Sequence, residues 1–375
     1  MTFKGLEGVR GLMCLWVILS HTVTMAGIHV YKNTGIGKLV ANGGIAVDVF
    51  VILSGFVICL ILNKKKEAYA PYLARRALRI FPIYLLCLFI SFFISDLSIM
   101  ALESLDFDHP KTERRLEIFD NFNKAPILHT VLHTFLLHGL IPNSLLTDTA
   151  YTLMGQAWSL TLEFQFYIVA PMLFYILSSS KLKFVFAIAL LIVCEGYMRS
   201  IMGHKSFFFA YSHYFIVGML SYSLYATYIE DKRDHRAFLL LTSTLFIFTF
   251  LMFGYRNGLL SVAGLLIWAL VFYVEYYADR QSVIGKPIVL IIRSRPVIYL
   301  GKISYSMYCS HMIFLYLCAF LFSTEGYFTQ INDSSFTILM LIVPFCLTLL
   351  FSSISFKFIE KPFISLGKRL FLEKS

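Results

Sequence analysis

The sequence predicts an all-α fold, a polytopic integral membrane helix bundle of about ten transmembrane helices with both termini cytoplasmic. Three observations predict this class. Hydrophobic residues make up 58% of the chain and charged residues only 14%, which is typical of a protein that folds in lipid. The apolar residues form segments close to the ~20 residues that a bilayer requires. The basic residues lie mostly in alternate connections between these segments.

The predicted spans, in chain order, are 8–27, 43–62, 76–97, 157–177, 183–199, 207–228, 237–254, 259–277, 299–322 and 336–358. The first is not typical of a cleaved signal peptide, because it carries Arg10 and His21 and does not end in a small-residue cleavage site. The seven cysteines fall inside apolar segments without a paired spacing. This pattern indicates packing residues, not a disulfide framework or a zinc site.

The distribution of Lys and Arg predicts the orientation. With the N-terminus in the cytoplasm, the inner connections are 63–79, 178–183, 229–236, 278–296 and the tail from 357, and they hold 20 Lys and Arg. The outer connections are 28–42, 98–150, 199–206, 254–258 and 323–335, and they hold 9. Cytoplasmic loops carry the excess of basic residues in membrane proteins, so both termini are predicted inside. The same rule accounts for the net charge of +10 without nucleic acid as a partner.

The outer connection 98–150 is the one long excursion from the bilayer. Its second part, ILHTVLHTFLLHGLIP, is too short to span comfortably and predicts an interfacial or re-entrant helix. His129 and His133 are four residues apart and can share a helix face, a geometry that also suits a metal. Without a third ligand at a telling spacing, we expect histidines at a wet interface and no metal. The chain 1–375 is predicted to be a single membrane domain, with no appended soluble domain.

Ionisable residues inside the predicted spans are candidates for function, because a charge at the bilayer centre costs about 2.5–3.5 kcal/mol on insertion scales. Arg10 and His21 are eleven residues apart, so they share one helix face about 16 Å apart. Asp48 and Glu163 are predicted at the depth of His21, toward the outer face. These groups fit mutual pairing that holds the bundle together. They also fit a proton-relay transporter, or chemistry performed within the membrane.

Six segments, in order from about residue 5 to 363, resemble motifs of the membrane acyltransferase family 3 proteins. They are LEGVRGLMCLWVILSH, GGIAVDVFVILSGFVI, YLARRALRIFPIYLL, WSLTLEFQFY, ISYSMYCSH and FIEKPF. The chain departs from the family pattern at Phe164, where many members have a second Glu, and at Val51, where Phe is usual. We also expect it to lack the extracytoplasmic hydrolase-like domain that some members carry.

The resemblance implies an acyltransferase that moves an acetyl or other short acyl group from cytoplasmic coenzyme A to a hydroxyl. Acetyl-CoA is the expected donor substrate, and a surface polysaccharide or lipid-linked glycan is the expected acceptor. The expected location is the bacterial cytoplasmic (inner) membrane. A proton-coupled transporter and an acyltransferase with a cytoplasmic small-molecule acceptor remain alternatives. The sequence does not identify the sugar, the acyl chain or the oligomeric state.

The resemblance also implies roles for residues of the matched motifs. His21 is expected to remove the proton of the acceptor hydroxyl, with Glu163 or Asp48 orienting its ring, and a transient acyl-histidine is the rival path. Arginine offers forked donors to phosphate, and the residues expected to bind coenzyme A are Arg10, Ser54, Gly55, Arg75, Arg76 and Arg79. The residues expected on the acceptor side are Trp158, Tyr167, Tyr305 and His311.

Overall fold

The computed structural model describes residues 4–28, 35–64, 67–105, 110–179, 181–226, 243, 262–277, 285–324 and 333–371. These ranges are helical and contain no strand. The helices are α1 Lys4–Met25, α2 Gly35–Val40, α3 Gly43–Lys64, α4 Tyr69–Phe93, α5 Ser95–Glu103, α6 Pro110–Lys124, α7 Pro126–Thr134, α8 Trp158–Ser179, α9 Lys181–Met202, α10 Ser212–Tyr225, α11 Ala263–Tyr277, α12 Lys286–Ile292, α13 Arg295–Thr324, α14 Asp333–Ser355 and α15 Lys361–Phe371. Short 3₁₀ turns at His138–Leu140, Gly155–Ala157 and Phe208–Ala210 shape the connections, and a π-helical turn, Phe356–Glu360, joins α14 to α15.

Six helical segments of the described ranges are long and apolar enough to cross a membrane. They are Gly5–Met25, Gly43–Lys64, Tyr69–Phe93, Gly155–Ile176, Arg295–Ser323 and Ser334–Phe371. All six coincide with predicted spans, so the prediction of an all-α membrane bundle is confirmed. The predicted spans 183–199, 207–228 and 259–277 coincide with α9, α10 and α11, which are not among these six. The predicted span 237–254 lies outside the described residues, and the total of ten stays a prediction.

Helix α1 is held against α13 by glycines that bring backbones into contact. A Cβ atom added at Gly301 of α13 would lie 1.8 Å from the backbone oxygen of Glu7. One added at Gly8 would lie 1.9 Å from the backbone oxygen of Ile292, the last residue of α12, so α12 approaches α1 equally closely. Gly11 contributes to the contact with α13, because a Cβ atom added there would lie 2.7 Å from the backbone nitrogen of Gly301. Small residues allow helices to approach this closely in a membrane. The contact fixes the position of α1 relative to α13.

A second close contact joins α3 to α10. A Cβ atom added at Gly55 would lie 2.3 Å from the backbone oxygen of Phe215, and one added at Gly218 would lie 2.0 Å from the backbone oxygen of Ile52. Gly55 therefore serves the packing of two helices. Its part in coenzyme A binding stays a prediction, and helix α10 covers this side of its backbone.

Three buried histidines connect different parts of the outer connection 98–150 to one another. Nε2 of His133 lies 3.0 Å from the backbone oxygen of Thr149, and Nδ1 of His129 lies 3.2 Å from Oγ1 of the same threonine. The rings of His133 and His138 stack with their centroids 3.9 Å apart. None of the three side chains is exposed, so the prediction of histidines at a wet interface is wrong. Burial lowers the pKa of His138 to about 3, which keeps its ring neutral.

Replacing Gly301 by alanine is expected to lower the thermal stability of the protein, because the added methyl group would meet the backbone oxygen of Glu7. Overpacking of this kind costs about 1–3 kcal/mol. The measurement is the melting temperature of the purified protein in detergent. Gly35→Ala is the matched control, since an added Cβ there meets no atom within 4 Å. Equal melting temperatures for the two variants would contradict the close contact.

Candidate active site

Helices α1, α3, α4, α8 and α13 surround a narrow cavity of about 80 Å³ on the side of Arg10, called here the inner cavity. Its charged lining residues are Arg10, Arg76, Arg79 and Glu163. Its neutral polar lining residues are Ser54, Ser159, Tyr167, Ser304, Tyr305 and Tyr308. Three guanidinium groups and one carboxylate give the lining a positive balance, which suits an anionic ligand.

Glu163 is hydrogen-bonded within the inner cavity. Its Oε1 accepts a bond from the hydroxyl of Tyr167 at 2.5 Å and one from the hydroxyl of Ser54 at 3.3 Å. The guanidinium carbon of Arg76 lies 5.9 Å from the centre of the Tyr167 ring, within the range of a cation–π contact. The carboxylate is therefore part of a polar network that also holds an arginine of the cavity wall.

The three arginines of α4 divide between two sides of that helix. Arg76 and Arg79 are three residues apart and line the inner cavity together, as residues at this spacing share a helix face. Arg75 is turned away and forms a buried ion pair with Glu67, to which its Nε donates at 2.9 Å. Arg75, which was expected to bind coenzyme A, is thus paired within the protein, because one residue along a helix rotates the side chain by about 100°.

A second, larger cavity of about 520 Å³ lies beside the other end of α1, and it is called here the outer cavity. His21 lines it together with Gln156, Trp158 and Tyr308. Its cationic lining residues are Lys111, Arg114, Arg115 and Lys205. Among the described residues that line it there is no Asp or Glu. The outer cavity is therefore also cationic.

The ring of His21 is bonded to a guanidinium group. Nη2 of Arg115 lies 3.0 Å from Nδ1 of His21. Arginine can only donate, so Nδ1 accepts this bond and the neutral ring carries its proton on Nε2. In this arrangement only Nδ1 has a lone pair that can accept a proton, and the hydrogen bond from Arg115 blocks it.

His311 lies beside His21 with its ring centroid 5.4 Å away. Nδ1 of His311 lies 2.8 Å from the backbone oxygen of Tyr308, so this nitrogen carries the proton of the neutral ring. Nε2 of His311 then has a lone pair, and it is buried without a hydrogen-bond partner among the described residues. The two neighbouring rings are complementary, because His21 offers an N–H and His311 offers an acceptor.

Tyr308 lines both cavities and forms the layer between them. Its hydroxyl donates to the backbone oxygen of Gln156 at 2.9 Å and lies 2.8 Å from the hydroxyl of Ser159. The side-chain amide of Gln156 donates to the backbone oxygen of Cys309 at 2.9 Å. The layer thus joins the start of α8 to the middle of α13 by hydrogen bonds.

Neither predicted carboxylate partner is bonded to His21. Asp48 is buried and accepts hydrogen bonds from the hydroxyls of Tyr211 and Tyr214, the second at 3.1 Å. Glu163 is engaged in the inner cavity, as described above. That Asp48 or Glu163 orients the ring stays a prediction, and both carboxylates are bonded to other side chains in this structure. A similar depth was predicted for these residues, but Asp48 is bonded to Tyr214 of α10, and depth along a helix does not determine the direction of a side chain.

The four residues predicted on the acceptor side separate into three locations. Trp158 lines the outer cavity. Tyr167 and Tyr305 line the inner cavity, where the hydroxyl of Tyr305 donates to the backbone oxygen of Ile80 at 2.8 Å. His311 is fully buried beside His21. The acceptor role predicted for Tyr167 and Tyr305 is not supported by their position on the arginine side.

Sequence reasoning missed Arg115 and Lys205, and it passed over Tyr308 although the quoted segment ISYSMYCSH contains it. Arg115 is 94 positions from His21 and lies in the outer connection. A basic residue in a connection between spans is not unusual, so the sequence gives no reason to select it. Lys205 lies in a short outer loop with its ammonium group 4.0 Å from the centre of the Trp158 ring. No local spacing links either residue to His21, so only the tertiary fold identifies them.

The described residues contain no group of three or more His, Cys, Asp or Glu side chains positioned to hold a metal ion. No curated protein and no solved structure matches the chain. A family model described as "Acyltransferase domain" matches residues 3–355, nearly the whole chain. The chain therefore belongs to the membrane acyltransferase family 3, and the apolar helices that surround both cavities are those of a membrane-embedded acyltransferase.

Proposed function

We propose that the protein is an O-acyltransferase that moves an acetyl or other short acyl group from cytoplasmic acyl-CoA to a hydroxyl of a surface polysaccharide or lipid-linked glycan. The observation that carries this proposal is a pair of cationic cavities along α1 that share Tyr308 as a wall. The inner cavity contains Arg10, Arg76 and Arg79. The outer cavity contains His21. Together with the family, this arrangement supports a donor and an acceptor that approach from opposite faces of one membrane domain.

The inner cavity is the proposed donor site. Arg10, Arg76 and Arg79 are able to bind phosphate oxygens of coenzyme A at its cytoplasmic mouth through charge-assisted hydrogen bonds. The cavity is narrow, at about 80 Å³, so it suits the thin pantetheine arm and not the nucleotide. The arm then extends along α1 for the ~16 Å from Arg10 to His21. Glu163 and Tyr167 are assigned to this site, since both line it.

The proposed reaction takes place at the Tyr308 layer. The hydroxyl oxygen of the acceptor forms a bond to the acyl carbon, the carbon–sulfur bond breaks, and coenzyme A leaves as a thiolate. His21 takes the hydroxyl proton as the new bond forms and then gives it to the thiolate. Because Arg115 occupies Nδ1, the acceptor hydroxyl must replace the guanidinium there. A transient acyl-histidine is the rival path, and trapping labelled acyl groups on the protein distinguishes the two.

His311 is proposed as the positioning residue for His21, in place of a carboxylate. When the acceptor hydroxyl binds Nδ1 of His21, the proton on Nε2 needs an acceptor that holds the ring in this tautomer. Nε2 of His311 is a buried acceptor without a partner among the described residues. The ring centroids are 5.4 Å apart, so this role requires the two rings to turn toward each other when the acceptor binds.

His21→Ala is expected to lower acyl transfer about 100-fold or more, because general-base assistance contributes a factor of about 10²–10⁴. The measurement is the consumption of radiolabelled acetyl-CoA by the purified protein in liposomes. Binding of coenzyme A should persist, since His21 does not line the inner cavity. Full turnover in the variant, or solute flux by the wild type without consumption of acetyl-CoA, would contradict the proposed function.

His311→Leu is expected to lower kcat about tenfold or more and to leave the KM for acetyl-CoA unchanged. His311→Gln should recover part of this rate, because its amide oxygen can accept a hydrogen bond from Nε2 of His21. The comparison of the two variants by steady-state kinetics separates positioning from packing. If both variants lose activity equally, or if KM rises with kcat unchanged, the positioning role is wrong.

Arg76→Met is expected to raise the KM for acetyl-CoA about tenfold or more, because hydrogen bonds to charged groups contribute about 1.5–3 kcal/mol. Arg75→Met is the matched control, since Arg75 is the next residue in the chain but is paired with Glu67 outside the cavity. Its KM should match the wild type even if its stability falls. A larger increase of KM in Arg75→Met than in Arg76→Met would contradict the assignment of the inner cavity to the donor.

A further inference from the structure

We infer that the outer cavity selects an acidic acceptor, a glycan whose carboxylate or phosphate group binds between Arg115 and Lys205. The inference rests on the proposed function and adds the chemical class of the acceptor. The first observation is the charge of the lining. Four cationic side chains surround the cavity beside His21, and no Asp or Glu lines it among the described residues. A single-sign lining within low-dielectric walls concentrates ions of the opposite sign.

Within the described residues, carboxylates pair with only part of this positive charge. Arg114 is paired with Asp148 and Glu117. By contrast, no carboxylate of the described residues lies within 4.0 Å of Arg115 or Lys205, and Asp48 acts on Lys205 only from a longer distance. Charges away from bulk water need a counter-charge or strong hydrogen bonds. An anionic group of a ligand provides both for Arg115 and Lys205.

One nitrogen of the Arg115 guanidinium group has no hydrogen-bond partner among the described residues. Its Nη2 is bonded to His21, whereas its Nη1 is buried without a hydrogen-bond partner among the described residues. A guanidinium group binds a carboxylate or a phosphate through two parallel hydrogen bonds. Arg115 uses one arm of this fork for a neutral imidazole, which is a weaker acceptor than an anion.

Lys205 supplies the second positive charge across the cavity. Its ammonium group lies over two aromatic rings, 4.0 Å from the centre of Trp158 and 5.6 Å from the centre of Tyr211. Burial lowers the pKa of Lys205, and the nearby Asp48 carboxylate opposes this effect. An anion in the cavity stabilises the charged ammonium further. The cation–π contacts with the two rings hold the ammonium group in position to bind such an anion.

The position of Arg115 couples recognition of the anion to catalysis. The guanidinium that binds the acid is the same group that covers Nδ1 of His21. An acidic acceptor draws Arg115 away from the imidazole and so exposes the lone pair to its own hydroxyl. A neutral acceptor makes no such exchange, and Nδ1 stays covered. The selectivity for acids is therefore expected in kcat as well as in binding.

The experiment compares acceptors that differ in charge alone, with the full chain purified in detergent. The first pair is a galacturonic acid trisaccharide and its neutral methyl ester. The second pair is maltotriose with and without a terminal phosphate, which separates a phosphate from a carboxylate preference. Titration calorimetry measures binding, and radiolabelled acetyl-CoA measures transfer. We expect at least one acidic member to bind about tenfold more tightly or better than its neutral partner.

The variants Lys205→Met and Arg115→Met should each lose this preference, and Lys205→Arg should restore most of it. Arg115→Met should also raise transfer to the neutral acceptors, because Nδ1 of His21 is then uncovered. Lys38→Met is the matched control, since Lys38 is exposed on α2 and does not line the cavity. It should keep the wild-type preference. Binding is measured without turnover, so it tests the inference even if an acceptor is not acetylated.

Equal affinity for the charged and neutral members of both pairs, or no binding of any of the four, would overturn the inference while acetyl-CoA consumption still supports the proposed function. A rise in the KM for acetyl-CoA in Lys205→Met, with acceptor binding unchanged, would also overturn it by assigning the outer cavity to coenzyme A phosphates. If the wild type binds the acids but consumes no acetyl-CoA, the proposed function fails and the acidic binding site stands.

Discussion

The contact between the backbones of α1 and α13 is the constraint on which the candidate site depends. It exists because Gly11 and Gly301 have no side chain to separate the backbones. Helix α1 carries Arg10 and His21, and α13 carries the residues that face them: Ser304, Tyr305, Tyr308 and His311. Once the two helices are fixed together, Tyr308 must lie between the arginine end and the histidine end of α1. A side chain at Gly301 would shift both cavities at once.

Four of the buried polar atoms without a hydrogen-bond partner among the described residues belong to the candidate site, and others lie elsewhere in the protein. Nη1 of Arg115, Nε2 of His311, Nε of Arg76 and Oε1 of Gln156 are buried without partners among the described residues. Each belongs to a residue that lines one of the two cavities or contacts His21. A buried unsatisfied group costs about 1–3 kcal/mol, so a substrate that satisfies several of them recovers binding energy at the positions where the reaction needs orientation.

Hydropathy predicted the helical membrane fold because the bilayer imposes one length and one composition on every span. The shared face of Arg10 and His21 also followed from the sequence, since it depends on one helix alone. The partners of His21 did not follow. Asp48 was considered because of its depth, yet its rotation on α3 points it to Tyr211 and Tyr214. Arg115 and His311 meet His21 from the outer connection and from α13, and such contacts depend on tertiary packing.

The layer formed by Gln156, Ser159 and Tyr308 limits which acyl groups can reach His21 in the proposed reaction. A membrane protein with a cationic cavity toward each face needs a closed layer between them, and hydrogen bonds among these three residues supply it. In the proposed reaction the thioester end of the donor has to reach Nδ1 of His21 by displacing part of this layer. In the proposed reaction a two-carbon acyl group is expected to pass this layer more easily than a long acyl chain, because close-packed side chains yield little space beside Tyr308. Under the proposed function, the same glycine contact that positions His21 is therefore expected to favour short acyl groups.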